Sequence, residues 1–123
     1  MKPITTFVHG ILDYTVGLAL IAAPYLFGFV EVGGAAVWVP QVAGTAVILM
    51  SLLTRYELGV VKALPMRGHL AMDYVVGLVL LASPWVFGFA DEPVNVWMPH
   101  VVAGLLSLVV PSLTQTVPDV ARR

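Results

Sequence analysis

The sequence predicts an all-α fold: a bundle of four transmembrane helices built from two tandem two-helix repeats, related by a pseudo-two-fold axis along the membrane normal. Three observations predict it. First, residues 9–30 and 69–90 align without a gap at an offset of 60, with 12 of 22 positions identical. Such self-similarity means that each half is one supersecondary unit. Second, 59% of the chain is hydrophobic and 11% charged, with a mean hydropathy of +0.95, whereas a soluble domain is about 45–50% apolar and about 25% charged. A domain of 123 residues buries too small a share of its surface to hide that excess, so the excess faces lipid. Third, each repeat holds two apolar stretches of about 20 residues, the length that crosses a bilayer.

The spans run, in order, over about 3–29, 35–53, 65–89 and 94–113. Pro3 and Pro65 suit a first helical turn, where the missing N–H would be unpaired anyway. Pro24 and Pro84 fall near the far ends of their spans, where they should kink or loosen the last turn before Gly28 and Gly88. Residues 31–34 and 91–93 carry turn signals. Lys2 followed by an apolar run and Ala22-Ala23 resembles a secretory signal, but the same run recurs internally at residues 69–89 and is read as a span. Trp38-Val39-Pro40 answers to Trp97-Met98-Pro99 one residue out of step, and Gly44 to Gly104. The chain is therefore read as a single membrane domain over 1–123: repeat one at about 3–54, a connector at about 55–64, and repeat two at about 65–115. Leu58, Val61 and Leu64, with Glu57 and Lys62 between them, suit a short amphipathic helix on the inner surface; a partly ordered link is the alternative.

Charge sets the orientation. The six basic residues are Lys2, the group Arg55, Lys62 and Arg67 around the junction of the second and third spans, and the C-terminal Arg122 and Arg123; the other two loops carry Glu31, Asp91 and Glu92 and no cation. The positive-inside rule then places both termini in the cytoplasm, with Tyr25, Trp38, Trp85 and Trp97 as an aromatic belt at the opposite face. Two-span repeats return the chain to its starting side, so the repeats are parallel rather than inverted.

The residues that could carry chemistry repeat as well. His9 and Asp13, four apart, share one face of the first helix, and His69 and Asp73 share one face of the third. Gly17 and Gly77 continue each row and allow another helix to approach. An intramembrane Asp costs about 2.5–3.5 kcal/mol at a helix centre, so these rows must face the interior and the partners supplied by the other half. At 1.5 Å per residue they sit in the inner leaflet rather than at the midplane. Tyr14 and Tyr74 follow each Asp and could donate to it or to a neighbour. Three readings stay open: an interhelical Asp–His network that fixes packing, a proton- or ion-handling site, and a metal site formed by His9, Asp13, His69 and Asp73. His100 replaces Gln41 of the first copy and is read as a surface residue. The five methionines show no copper-like spacing, and there is no phosphate loop or nucleophile elbow. With a net charge of −1 nothing points to a nucleic-acid interface, which needs a concentrated basic face, and the absence of cysteine excludes disulfides and thiolate ligands.

Ser83-Pro84-Trp85, inside the first span of its repeat and followed by Val86-Phe87-Gly88, resembles the signature of the SPW repeat family of small bacterial integral membrane proteins. The first copy carries Ala23-Pro24-Tyr25 instead and keeps only the proline and an aromatic. The resemblance implies two transmembrane helices per repeat and no established activity. The sequence thus leads to a multi-pass protein of the bacterial cytoplasmic membrane, without cofactor, in a structural or regulatory and non-enzymatic role. Its partners would be membrane lipid and, through its embedded faces, a second copy or another membrane protein. A small proton or ion transport element using the His–Asp pairs is the alternative, and a metal-binding membrane enzyme ranks below it.

Overall fold

In a computed structural model, which describes residues 2–118, four helices follow one another: α1 (Thr6–Leu26), α2 (Gly34–Leu52), α3 (Met66–Val86) and α4 (Val94–Ser112). All four are long and apolar enough to cross a membrane, and the chain is a multi-pass, all-helical membrane protein. Arg122 and Arg123, which enter the charge argument above, lie outside the described residues, as does Met1. In lipid every backbone polar group must be satisfied within the span, which is why uninterrupted apolar runs become helices here.

The helix starts differ from the sequence expectation. α1 begins at Thr6, with Thr5 as its cap: the Thr5 hydroxyl accepts from the Val8 N–H at 3.2 Å. Pro3 lies outside the helix, because Ile4 is held in extended backbone pairing. The Ile4 N–H donates to the Leu113 carbonyl at 3.0 Å, and the Gln115 N–H donates to the Ile4 carbonyl at 2.9 Å. The same clip recurs 60 residues away, where the Leu64 N–H donates to the Leu53 carbonyl at 2.7 Å and the Arg55 N–H to the Leu64 carbonyl at 2.8 Å. Pro65 then caps α3. The end of α2 is thus tied to the start of α3, and the end of α4 to the start of α1. These clips gather the N-terminal segment, the connector and the C-terminal segment at one end of the bundle.

At the other end α1 and α3 close in matching ways. The Phe29 N–H reaches back to the Pro24 carbonyl at 2.8 Å, and the Phe89 N–H to the Pro84 carbonyl at 2.7 Å. Gly28 and Gly88 take the positive φ (71° and 77°) that this helix ending requires. The rings of Phe29 and Phe89 turn inward and pack with Ala23, Ala36 and Val96. Pro24 and Pro84 are buried, and each helix runs two residues past its proline.

α1 packs chiefly on α2 and α3 on α4, with α2 against α3 and α1 against α4 completing the bundle. Lipid tails are as apolar as leucine, so close packing and polar contacts must hold the helices together. Gly17 meets Gly44 of α2, and Gly77 meets Gly104 of α4; a Cβ on Gly104 would come within 2.6 Å of the Leu81 backbone N. Leu20, Val39, Leu80 and Ala103 fill the middle layer, while Leu18, Leu49, Leu78 and Val109 point outward.

The connector is neither of the two forms considered for it: it is a set of ordered turns rather than an amphipathic helix. The Val60 and Val61 N–H groups both donate to the Leu52 carbonyl, at 2.8 and 2.9 Å, and the Lys62 ammonium donates to the Tyr56 carbonyl at 2.5 Å. Gly10 leaves room for Leu58, and Tyr56, fully buried, packs with Met66 and Leu70. The chain is folded back under the bundle because its hydrophobic groups find an apolar seat there, leaving Val60 and Val61 exposed.

Candidate functional site

His9 and His69 sit on the first turn of α1 and α3, with Asp13 and Asp73 one turn further on. All four are buried, His69 completely. They converge: His9 Nε2 is 2.9 Å from Asp73 Oδ2 and 3.1 Å from Asp13 Oδ1, and His69 Nε2 is 3.0 Å from Asp13 Oδ2 and 3.4 Å from Asp73 Oδ2. The imidazole rings meet edge to face, with centroids 5.2 Å apart. Among the described residues, neither carboxylate forms an ion pair with a Lys or Arg; their ionic contacts are with the two histidines.

Two threonines fix the rings. His9 Nδ1 is 2.9 Å from Thr114 Oγ1, and His69 Nδ1 is 2.7 Å from Thr54 Oγ1. Each threonine hydroxyl already donates its one proton to a helix carbonyl, Thr54 to Met50 at 2.7 Å and Thr114 to Val110 at 2.6 Å. Toward the histidines they can only accept, so each imidazole carries its proton on Nδ1. Both Nε2 atoms then face two carboxylates. With neutral imidazoles the cluster holds a charge of −2 in a buried place, and two further protons or one divalent cation must balance it.

Tyr56 adds an asymmetry. Its hydroxyl donates to Asp13 Oδ2 at 2.8 Å, and burial, reinforced by the Asp13 carboxylate, pushes it well above the usual tyrosine range, so it stays a donor. The position 60 residues on is Thr116, and Asp73 has only histidines as ionic partners. Tyr14 donates to the Leu58 carbonyl at 2.8 Å and anchors the connector rather than Asp13. Tyr74 is exposed and lies away from the cluster.

The helix-end motif has a physical basis. Pro84 has no N–H to offer the Leu80 carbonyl four residues back. The Ser83 hydroxyl, fully buried, supplies the missing donor at 2.8 Å. Trp85 and Tyr25 are exposed at the same end of the bundle, as interfacial aromatics are. A family profile described as the SPW repeat domain matches residues 7–114. The chain belongs to the SPW repeat family. No curated protein and no solved structure matches it.

In this SPW repeat protein the serine occurs in one copy only, with Ala23 at its place in the first. His100 corrects the sequence reading: it is fully buried, not on the surface. Its Nε2 lies 3.0 Å from the Ala36 carbonyl and its Nδ1 2.8 Å from the Val96 carbonyl. Ala36 is four residues before Pro40, so its carbonyl too has lost its helical donor to a proline. The ring contacts Phe89 and Phe29 in tilted arrangements, with centroids at 4.7 and 5.8 Å. The lack of a repeat partner points to the surface, but the buried ring serves a carbonyl on another helix.

Thr54, Thr114 and Tyr56 escaped the sequence reading. A signal existed for the first two: Leu53-Thr54 and Leu113-Thr114 repeat at the same offset of 60 as the histidines. Tyr56 had none, because its counterpart differs. The four donors His9, Asp13, His69 and Asp73 offer ligand atoms that all lie within 4.8 Å of one another, and they form the one set among the described residues that could hold a metal ion.

Proposed function

We propose that this protein has a structural or regulatory role in the bacterial cytoplasmic membrane, and that its His–Asp cluster is the fastening between two pseudo-symmetric halves. One observation carries the reading: the shortest contact of each imidazole nitrogen crosses from one repeat to the other. His9 of the first repeat meets Asp73 and Thr114 of the second, and His69 of the second meets Asp13 and Thr54 of the first. Neither half can satisfy its polar groups alone: His9 Nδ1, His9 Nε2 and His69 Nδ1 find their hydrogen-bond partners only across the two repeats. Lys2, Arg55, Lys62 and Arg67 gather at the clipped end, and Glu31, Asp91 and Glu92 at the other. This supports cytoplasmic termini by the positive-inside rule. Partners would be met through the embedded faces: membrane lipid, and a second copy or another membrane protein.

A double-mutant cycle on His9→Ala and Asp73→Ala, measured by unfolding in detergent or bicelles, tests the fastening. Intramembrane polar pairs couple by about 0.6 kcal/mol on average and up to about 1.7 kcal/mol; a coupling near zero would remove the reading.

A second reading has one observation in its favour. A cavity of about 40 Å³ beside the cluster is lined by His9, Asp13, Asp73 and Ser107 together with Leu12 and Val47. Such a space admits water, and a water next to paired His and Asp groups is what proton transfer needs. Proton flux in proteoliposomes that is absent with Asp73→Asn is the result this reading requires.

A further inference from the structure

We infer that the His9–Asp13–His69–Asp73 cluster binds a divalent first-row transition-metal ion of the zinc type, held by Nε2 of both histidines and one oxygen of each carboxylate. The inference rests on the proposal that the cluster fastens the two halves, and names what fills it.

Four features of the site point this way. The first is charge: two carboxylates and two neutral imidazoles leave −2, which one divalent ion cancels. The second is orientation. Metal-bound histidines nearly always donate their other ring N–H to an oxygen, which fixes the tautomer and aims the lone pair inward. Here both Nδ1–H groups meet threonine hydroxyls that can do nothing but accept, at 2.9 and 2.7 Å. The two threonines come from the ends of α2 and α4 and stand at equivalent positions of the repeat, so both rings are aimed by the same device.

The third feature separates a metal from two extra protons. A pair of imidazolium–carboxylate bridges would give each Nε2–H an acceptor along its bond. His9 Nε2 meets Asp73 Oδ2 in that geometry at 2.9 Å, but His69 Nε2 is completely buried and meets no partner in hydrogen-bond geometry, although Asp13 Oδ2 is 3.0 Å away. A protonated Nε2 would leave that N–H unsatisfied, whereas a lone pair directed between the four donors is what a metal ion uses. The fourth is size. Tetrahedral zinc with bonds of about 2.0–2.1 Å has ligand–ligand edges of about 3.3–3.4 Å. The four His–Asp distances are 2.9, 3.0, 3.1 and 3.4 Å, the two to Asp13 reaching different oxygens, and the four ligand atoms all lie within 4.8 Å of one another, so side-chain adjustment of about an ångström brings one oxygen of each carboxylate and both Nε2 atoms to that spacing. Two imidazoles favour zinc, iron or copper over magnesium and calcium, which take all-oxygen shells. Four protein donors fill a tetrahedral shell, so the ion would cross-link α1 to α3 rather than activate a substrate.

The test is metal analysis of the full chain purified without chelator, then removal of metal and titration with Zn²⁺ or Mg²⁺ while the thermal midpoint is followed. One equivalent of transition metal per chain and a midpoint raised by Zn²⁺ but not Mg²⁺ are the expected results. His69→Gln should lose the metal. Thr54→Val leaves all four donors in place and serves if His69→Gln does not fold; it should weaken Zn²⁺ binding about 10–100-fold, as loss of an orienting partner does. Absence of metal together with no Zn²⁺-specific shift overturns the inference, as does retention of metal by folded His69→Gln, which would mark the ion as adventitious. The fastening proposal stands or falls separately: the His9–Asp73 coupling, measured on the metal-free chain, can survive when no metal binds and can vanish when one does.

Discussion

His9 Nε2 lies closer to Asp73 Oδ2 than to Asp13 Oδ1, at 2.9 against 3.1 Å, although Asp13 stands on its own helix one turn away and Asp73 is 64 residues distant in sequence. The nearer carboxylate of each histidine thus comes from the other half of the chain. Since the same choice is made by His69 with Asp13, the cluster depends on both halves being present and correctly paired.

Removing one member should expose that dependence. In the metal-free chain, Asp73→Asn retains a group that can accept from or donate to His9 and should be mild. Asp73→Leu strands His9 Nε2 in a buried place and should destabilise by about 1–3 kcal/mol, the usual cost of an unsatisfied buried group. Urea or detergent unfolding of the two variants measures the difference; equal losses would mean that hydrogen bonding at position 73 contributes nothing to stability.

At the other end of the bundle, Ser83→Ala should cost about 0.5–1.5 kcal/mol by leaving the Leu80 carbonyl without a donor. In a Pro84→Ala background the backbone N–H at position 84 returns, and the cost of removing the hydroxyl should largely disappear. A cycle of these two changes, read as thermal midpoints, would show additivity if the serine served some other partner.

Glycine positions should divide by what surrounds them. Gly104→Ala places a methyl within 2.6 Å of the Leu81 backbone, which cannot move away, and should cost about 1–3 kcal/mol, as overpacking does. Gly28→Ala meets nothing within 4 Å and pays only for its positive φ, about 1–2 kcal/mol. Crosslinking between α3 and α4 should change in the first variant alone.

For orientation, reporters fused within residues 55–64 and after the C-terminus should read as cytoplasmic, and one inserted at Gly33-Gly34 as external. A C-terminal reporter on the outside would reverse the placement drawn from Lys2, Arg55, Lys62 and Arg67.

What the sequence by itself determined is the part of the structure governed by local rules. Four apolar runs must be helical in lipid because no other spanning backbone satisfies itself, and the offset of 60 makes the two halves alike; the close glycine contacts and the inward His–Asp rows follow from helical spacing. Pairing across space is a different matter. Which carboxylate His9 prefers, which hydroxyls hold the ring nitrogens, and why His100 is buried all depend on which helices become neighbours. Thr114 reaches His9 across 105 residues because the end of α4 is clipped to Ile4, and Tyr56 reaches Asp13 because the connector folds under the bundle. No periodicity encodes such contacts: a hydrogen bond a few ångströms long is set by the final approach of segments far apart in the chain, and only the tertiary structure brings them together.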